Sequence, residues 1–333
     1  MTAARVPRSL VTAIVVALGL AGCAGDTSPE RAGARADRST TASTTPQPVI
    51  DEDFPDPDVL EVDGTYYAYA TQRADNSRNV QLATSTDLRA WEVQPEDVLP
   101  HLPSWASTGR TWAPDVSEVG GRFVMYVTAW HADTNLQCIG AATSTSPRGP
   151  FRPLRGRPLV CPERSGGAID AATFVDVDGT RYLLWKNDGN CCGLPTWLHL
   201  QRMSADGLRS SGPARRLVRE DQGWEGDLVE APTLVRRAGS YVLFYSANSY
   251  SGDRYATGYA VADRLRGPYR KPDGPLLTTG STGVTGPGGQ DVVAGPGGRT
   301  YIVFHGWDPA VVYRGMYVLP LTWRAGRPVI PAT

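Results

Sequence analysis

The chain has 333 residues, 33 Lys+Arg against 34 Asp+Glu, and a formal net charge of −1. With no basic excess to neutralise phosphates, it argues against a nucleic-acid partner. Its 36 Gly, 27 Pro, 9 Trp and 14 Tyr, with 41 % hydrophobic residues, exclude wholesale disorder and speak for short strands joined by turns rather than a helical bundle.

Residues 1–22 have the pattern of an export signal. Arg5 and Arg8 precede an apolar run from Leu10 to Leu20, which is shorter than the roughly 20 residues a spanning helix needs. The run ends in Leu20-Ala-Gly-Cys23, which resembles a bacterial lipobox. That resemblance implies cleavage before Cys23 and a lipid on its thiol; an ordinary cleavage site is the alternative. Residues 24–48 hold no large apolar side chain and read as a flexible tether. The expected organisation is a signal over 1–22, a lipidated tether over 23–48 and a folded domain over 49–333. The expected setting is the outer face of the bacterial cell membrane, or secretion, as a monomer.

Beyond Val49 one pattern recurs five times: a polar start, a short apolar stretch, a glycine turn and an aromatic-rich strand. The turn glycines are Gly64, Gly121, Gly179, Gly239 and Gly298, spaced 57, 58, 60 and 59 residues apart. Each unit reads as a hairpin followed by further short strands, such as those over 79–84, 139–143, 198–203 and 258–261. Four strands in a unit of this length, five times over, predict an all-β, five-bladed β-propeller. Cys138, Cys161, Cys191 and Cys192 form an even set in an exported chain and are expected as disulfides, with Cys191 and Cys192 each paired to one of the other two.

In a propeller the first strand of every blade lines one channel. Counted back from the turn glycines, the equivalent position there holds Asp56, Ala113, Asp170, Glu230 and Gly289. Asp63, Asp176 and Asp178 sit beside the turns, where aspartate is expected for turn reasons. Asp56, Asp170 and Glu230 instead begin apolar strands, and carboxylates converging in a funnel are costly unless they bind a cation or move protons. One carboxylate that activates water and another that protonates a leaving oxygen are the equipment of glycoside hydrolysis. Asp58 and Asp115 lie out of phase with these positions and read as structural. Trp112 precedes the blade-two position and is expected to face the funnel, where an indole can cover the apolar face of a sugar.

The phrases FPDPDV, TWAPDV, AIDAATFVDVDG, LVEAPTL and FHGW, in this order from Phe54 onward, resemble glycoside hydrolase family 43. The resemblance implies a five-bladed propeller and an inverting enzyme acting on arabinose- and xylose-containing polysaccharides. It implies Asp56 as general base, Asp170 as pKa modulator and Glu230 as general acid, with Arg314 near the bound sugar. It requires no cofactor, but implies a structural calcium ion in the central channel, held partly through water, with His305 beside it; a packed, hydrogen-bonded histidine is the alternative. His305 is also a candidate for substrate binding, and Trp130, His131 and Trp307 for the outer pocket. Gln290 stands where the family commonly has a histidine, which points to a different central polar network. Similarity to arabinan-acting members favours release of arabinose or arabino-oligosaccharides from arabinan or arabinoxylan. A β-xylosidase is one alternative, disfavoured by an end at Thr333 directly after the fifth repeat; a non-catalytic surface carbohydrate-binding propeller is another.

Overall fold

The computed structural model describes residues 45–331. The expected signal, Cys23 and nearly all of the tether lie outside the described residues. Nineteen strands form five antiparallel sheets in sequence order, and the fold is a five-bladed β-propeller. Blade one comprises β1 (Asp58–Val62), β2 (Thr65–Ala70), β3 (Gln81–Ser85) and β4 (Glu92–Val93). Blade two comprises β5 (Ala106–Val119), β6 (Arg122–His131), β7 (Leu136–Ser144) and β8 (Arg152–Pro153). Blade three comprises β9 (Ala168–Val175), β10 (Arg181–Asn187), β11 (Trp197–Arg202) and β12 (Arg215–Arg219). Blade four has β13 (Val229–Arg237), β14 (Ser240–Ala247) and β15 (Ala256–Ala262). Blade five has β16 (Thr285–Ala294), β17 (Thr300–Trp307), β18 (Arg314–Arg324) and β19 (Arg327–Val329).

Blade four lacks a continuous outer strand. Its place is taken by isolated pairings of Thr257 with Leu277 and of Val261 with Arg270. Pro268, Pro272 and Pro275 in this stretch have no N–H to continue a ladder. The ring closes where Ile50 pairs with Met316 of β18, so the start of the domain is stitched to its last blade.

The hydrophobic core is divided among the seams between blades. Tyr69 and Leu82 meet Val116 and Met125, while Tyr126 and Ile139 meet Leu183 and Trp185. Leu184 and Leu200 meet Leu243 and Tyr245, Phe244 meets Phe304, and Ala68 meets Val303. Each middle strand therefore has a neighbouring blade on both faces. In β14 every residue after Ser240 is buried, so the strand shows no in–out alternation.

The disulfides differ from the expected pairing. Cys138 is bonded to Cys161, and Cys191 to its neighbour Cys192. Ile139 pairs with Val160, which brings the chain back antiparallel beside β7 and sets Cys138 and Cys161 4.8 Å apart at Cα. Cys191 and Cys192 instead lie in the turn leaving β10 in blade three, so neither meets the blade-two cysteines.

Candidate active site

Each channel strand carries one residue in the left-handed region as it enters its blade: Asp56 (φ 55°), Ala113 (40°), Asp170 (55°), Ala231 (50°) and Gly289 (57°). In blades two, three, four and five the register shifts at this point, as in a β-bulge, which re-aims the side chains beside it. Aspartate tolerates this conformation better than most residues, and such strain collects at functional sites. The structure thus puts Ala231, not Glu230, at the position shared by Asp56 and Asp170. Glu230 stands one residue earlier, in phase with Trp112. Counting from the turn glycine misses this because the distance from turn to bulge differs by one residue between blades three and four.

The left-handed residues also tie the ring together. The backbone N–H of Asp56 donates to His305 Nδ1 (3.1 Å), that of Ala113 to Thr71 Oγ1 (2.9 Å), that of Asp170 to Thr128 Oγ1 (3.2 Å) and that of Gly289 to Ser246 Oγ (2.9 Å). Each acceptor lies on or just beyond the second strand of the preceding blade. Ala231 differs, since its N–H donates to Asp170 Oδ2 at 2.9 Å. Gly289 is required twice over: its φ is positive, and a Cβ there would meet the His305 ring and Asp56 Oδ1.

Asp56, Asp170 and Glu230 line one cleft of about 420 Å³, together with Trp112, Lys186, Tyr250, Tyr255 and Arg314. Asp56 Oδ2 accepts from Thr71 Oγ1 (2.7 Å), and Arg314 Nη1 lies 3.3 Å from Oδ1. Burial pushes the Asp56 carboxyl up, but Arg314 and the Thr71 hydroxyl outweigh it and hold the group well below the usual range. Asp56 is therefore an ionised base at neutral pH.

The other side of the cleft behaves oppositely. Burial and the nearby charge of Glu230 push Asp170 up to about 8, against the pull of Lys186. Asp170 thus retains a proton at neutral pH beside Glu230. Glu230 accepts from Tyr255 Oη at Oε1 (2.8 Å) and from Lys186 Nζ at Oε2 (3.2 Å). An ionised carboxylate facing a cleft wall that keeps a proton on Asp170 is the division of labour that acid–base hydrolysis needs.

His305 is wholly buried and does not line the cleft. It stacks on Tyr255, with ring centroids 5.7 Å apart, and stands behind Asp56. Its Nδ1 also lies 3.1 Å from Asp56 Oδ1, but the Asp56 N–H is aimed at that nitrogen, which makes it an acceptor. Nε2 faces the Arg314 guanidinium at 3.3 Å. Burial and Arg314 hold its pKa down, so the ring is neutral. A calcium ion on His305 does not fit these surroundings, because one ring nitrogen accepts a backbone N–H and the other faces a fixed positive charge. Among the described residues no group of three or more His, Cys, Asp or Glu side chains is arranged to hold a metal ion.

Asp58, Asp115 and Asp291 line the same cavity but bind backbone. They accept from the N–H of Val116 (2.8 Å), Thr173 (2.9 Å) and Val59 (3.0 Å), each on the next blade round the ring. Gln290 joins blades five and four, donating to the Ala231 carbonyl (2.6 Å) and accepting from Ser246 (2.7 Å). Trp130 and His131 lie away from the cleft: Arg110 covers Trp130 at 4.1 Å, and His131 stacks on Trp105. Trp307 donates to the Tyr250 carbonyl (2.7 Å) and, with the Tyr250 ring, packs against Arg314.

Lys186 and Tyr255 escaped the sequence reading. A signal for Lys186 was present: it lies seven residues after Gly179, at the place that Thr71, Thr128, Ser246 and His305 hold after their own turn glycines.

Glycosyl hydrolases family 43 matches residues 45–328, nearly the whole described domain. The chain belongs to this family. Beta-D-galactofuranosidase xynD of Aspergillus niger is 27 % identical over 280 residues, covering 76 % of each chain. Extracellular endo-alpha-(1->5)-L-arabinanase 1 of Bacillus subtilis is 25 % identical over 257 residues, covering 72 % of this chain and 76 % of that protein. The crystal structure of a thermostable family-43 glycoside hydrolase superimposes with a TM-score of 0.77 at 30 % identity, covering 87 % of this chain and 96 % of that one. As a family-43 glycoside hydrolase the protein is a glycosidase.

Proposed function

We propose that this family-43 enzyme is an inverting glycosidase that releases arabinose or arabino-oligosaccharides from arabinan or arabinoxylan. The observation that carries the acid–base reading is the opposite tuning of the two sides of one cleft: Asp56 held ionised by Arg314 and Thr71, and a proton held at Asp170 beside Glu230. In this reading water enters beside Asp56, which takes its proton as the oxygen attacks the anomeric carbon. Glu230 gives its proton to the departing glycosidic oxygen, which keeps the electron pair of the broken bond. Asp170 keeps that proton on the pair and orients Glu230. Trp112 and Arg314 line the sugar position, and no metal-dependent step is needed. We also propose lipid attachment at Cys23, holding the enzyme outside the cell.

The arabinose preference is supported by the arabinanase relative, whereas the galactofuranosidase relative favours another sugar, so one panel tests both. Products from linear arabinan, arabinoxylan, xylo-oligosaccharides and a β-galactofuranoside should show arabinose or arabino-oligosaccharides, with the first-formed anomer inverted by NMR. Release of xylose or galactose alone would replace the sugar assignment. Release of no reducing sugar from any of them would leave a carbohydrate-binding propeller.

A further inference from the structure

The residue seven places after each turn glycine has the same task in four blades. Thr71, Thr128, Ser246 and His305 each accept the N–H of the left-handed residue on the next blade. In blade three this place is Lys186, whose ammonium has no lone pair with which to accept. The N–H it would have served, on Ala231, is taken by Asp170 instead. Blade three has therefore given up the common interblade link at this point, and the freed position carries a cation.

That cation is completely enclosed. Its Nζ lies 2.6 Å from Asn190 Oδ1, 3.2 Å from Glu230 Oε2 and 3.5 Å from Asp188 Oδ1, so three acceptors surround its three N–H bonds. Burying an ammonium costs several kcal/mol unless it is paired this completely. A side chain needed only to fill the seam would be apolar, and one needed only for the backbone link would be threonine, as in blades one and two. Lys186 does neither. With Tyr255 on Oε1 and Lys186 on Oε2, both oxygens of Glu230 are held before any substrate arrives.

We infer that Lys186 is a positioning residue that holds the Glu230 carboxyl toward the scissile bond and stabilises the negative charge left on it as its proton departs. The inference rests on Glu230 being the general acid. As the proton passes to the leaving oxygen, Glu230 becomes an anion, and an ammonium already in place receives that charge without reorganisation. The charged and titratable groups around it are Asp170 from β9, Asp188 from the turn after β10, Tyr255 at the edge of β15, and Asp56, His305 and Arg314 from across the cleft. Asn190 adds a neutral acceptor.

The test compares Lys186→Met and Lys186→Gln with the unaltered enzyme on two glycosides of the sugar identified by the panel: a nitrophenyl glycoside, whose leaving group needs little protonation, and an alkyl glycoside, which needs it fully. Folding is checked by thermal melting. Both variants should lose about 10²-fold or more in kcat/KM on the alkyl glycoside and less than about 10-fold on the nitrophenyl glycoside. The alkaline limb of kcat/KM should move up by about one pH unit, because the cation favouring the ionised pair is gone. Unchanged activity, an equal loss on both glycosides, an unmoved alkaline limb, or failure of both variants to fold would overturn the inference and assign Lys186 to the frame. Glu230→Gln is run alongside. If it keeps full activity on the alkyl glycoside, the general-acid assignment falls instead.

Discussion

Replacing Arg314 by Met tests what keeps Asp56 ionised. Arg314 Nη1 lies 3.3 Å from Asp56 Oδ1, with the two side chains 15 % and 22 % exposed. At an effective dielectric of about 20, unit charges at that distance attract by roughly 5 kcal/mol, an upper bound for a pair that still sees water. Half of that value corresponds to about 2 pKa units, at roughly 1.4 kcal/mol per unit. Thr71 and the burial of Asp56 are unaffected by the change, so the acid limb of kcat/KM should stand about 2 pH units higher in the variant than in the parent. The sign for stability follows. The depressed Asp56 carboxyl stabilises the fold above its unfolded pKa, and that contribution disappears as pH falls through the folded pKa. In the variant it is smaller and is lost at higher pH. Rate profiles over pH 3–9 on an aryl glycoside, with Arg314→Lys to restore the charge, make the measurement. A raised KM with an unmoved acid limb in Arg314→Met would refute the electrostatic role and leave Arg314 as a substrate contact.

Two further changes probe the frame. Burial pushes Asp115 up to about 7, helped by the charge of Asp291; the folded protein then keeps a proton that the unfolded chain releases above about pH 4, so stability falls as pH rises toward 7. Asp115→Asn, whose amide oxygen still accepts the Thr173 N–H, should flatten the fall of Tm between pH 4 and 8, and an unchanged slope by calorimetry would count against a buried proton there. The Cys138–Cys161 bond closes a loop with a sequence separation of 23. Its loss in Cys138→Ala/Cys161→Ala should cost about 3 kcal/mol in the chain-entropy account, and unaltered denaturant midpoints would show that the reference state does not feel the crosslink.

Much of the architecture was legible because it repeats. Every blade needs a tight hairpin turn, glycine supplies it, and five such turns at nearly constant spacing count five blades without any long-range contact being known. Asp56 and Asp170 were legible for the same reason: each is an acid at the start of an apolar strand, eight or nine residues before its turn glycine. The fourth strand of blade four failed because prolines break a ladder that the period alone would continue. Lys186 was passed over although it stands in a run of strand residues, because a strand read alone gives no sign that both its faces are buried.

The repeat count, the fold and two of the three cleft acids were thus determined by sequence, since turn chemistry and strand patterning are local. The phase of Glu230, the enclosure of Lys186, the withdrawal of His305 behind Asp56 and the pairing of the cysteines were decided only in the tertiary structure. They depend on where backbone N–H groups find acceptors across blade seams, and in the case of Asp56 and His305 the two partners lie 249 residues apart in the chain. A one-residue bulge reverses which side chain faces the cleft, and only the closed ring specifies where each bulge falls.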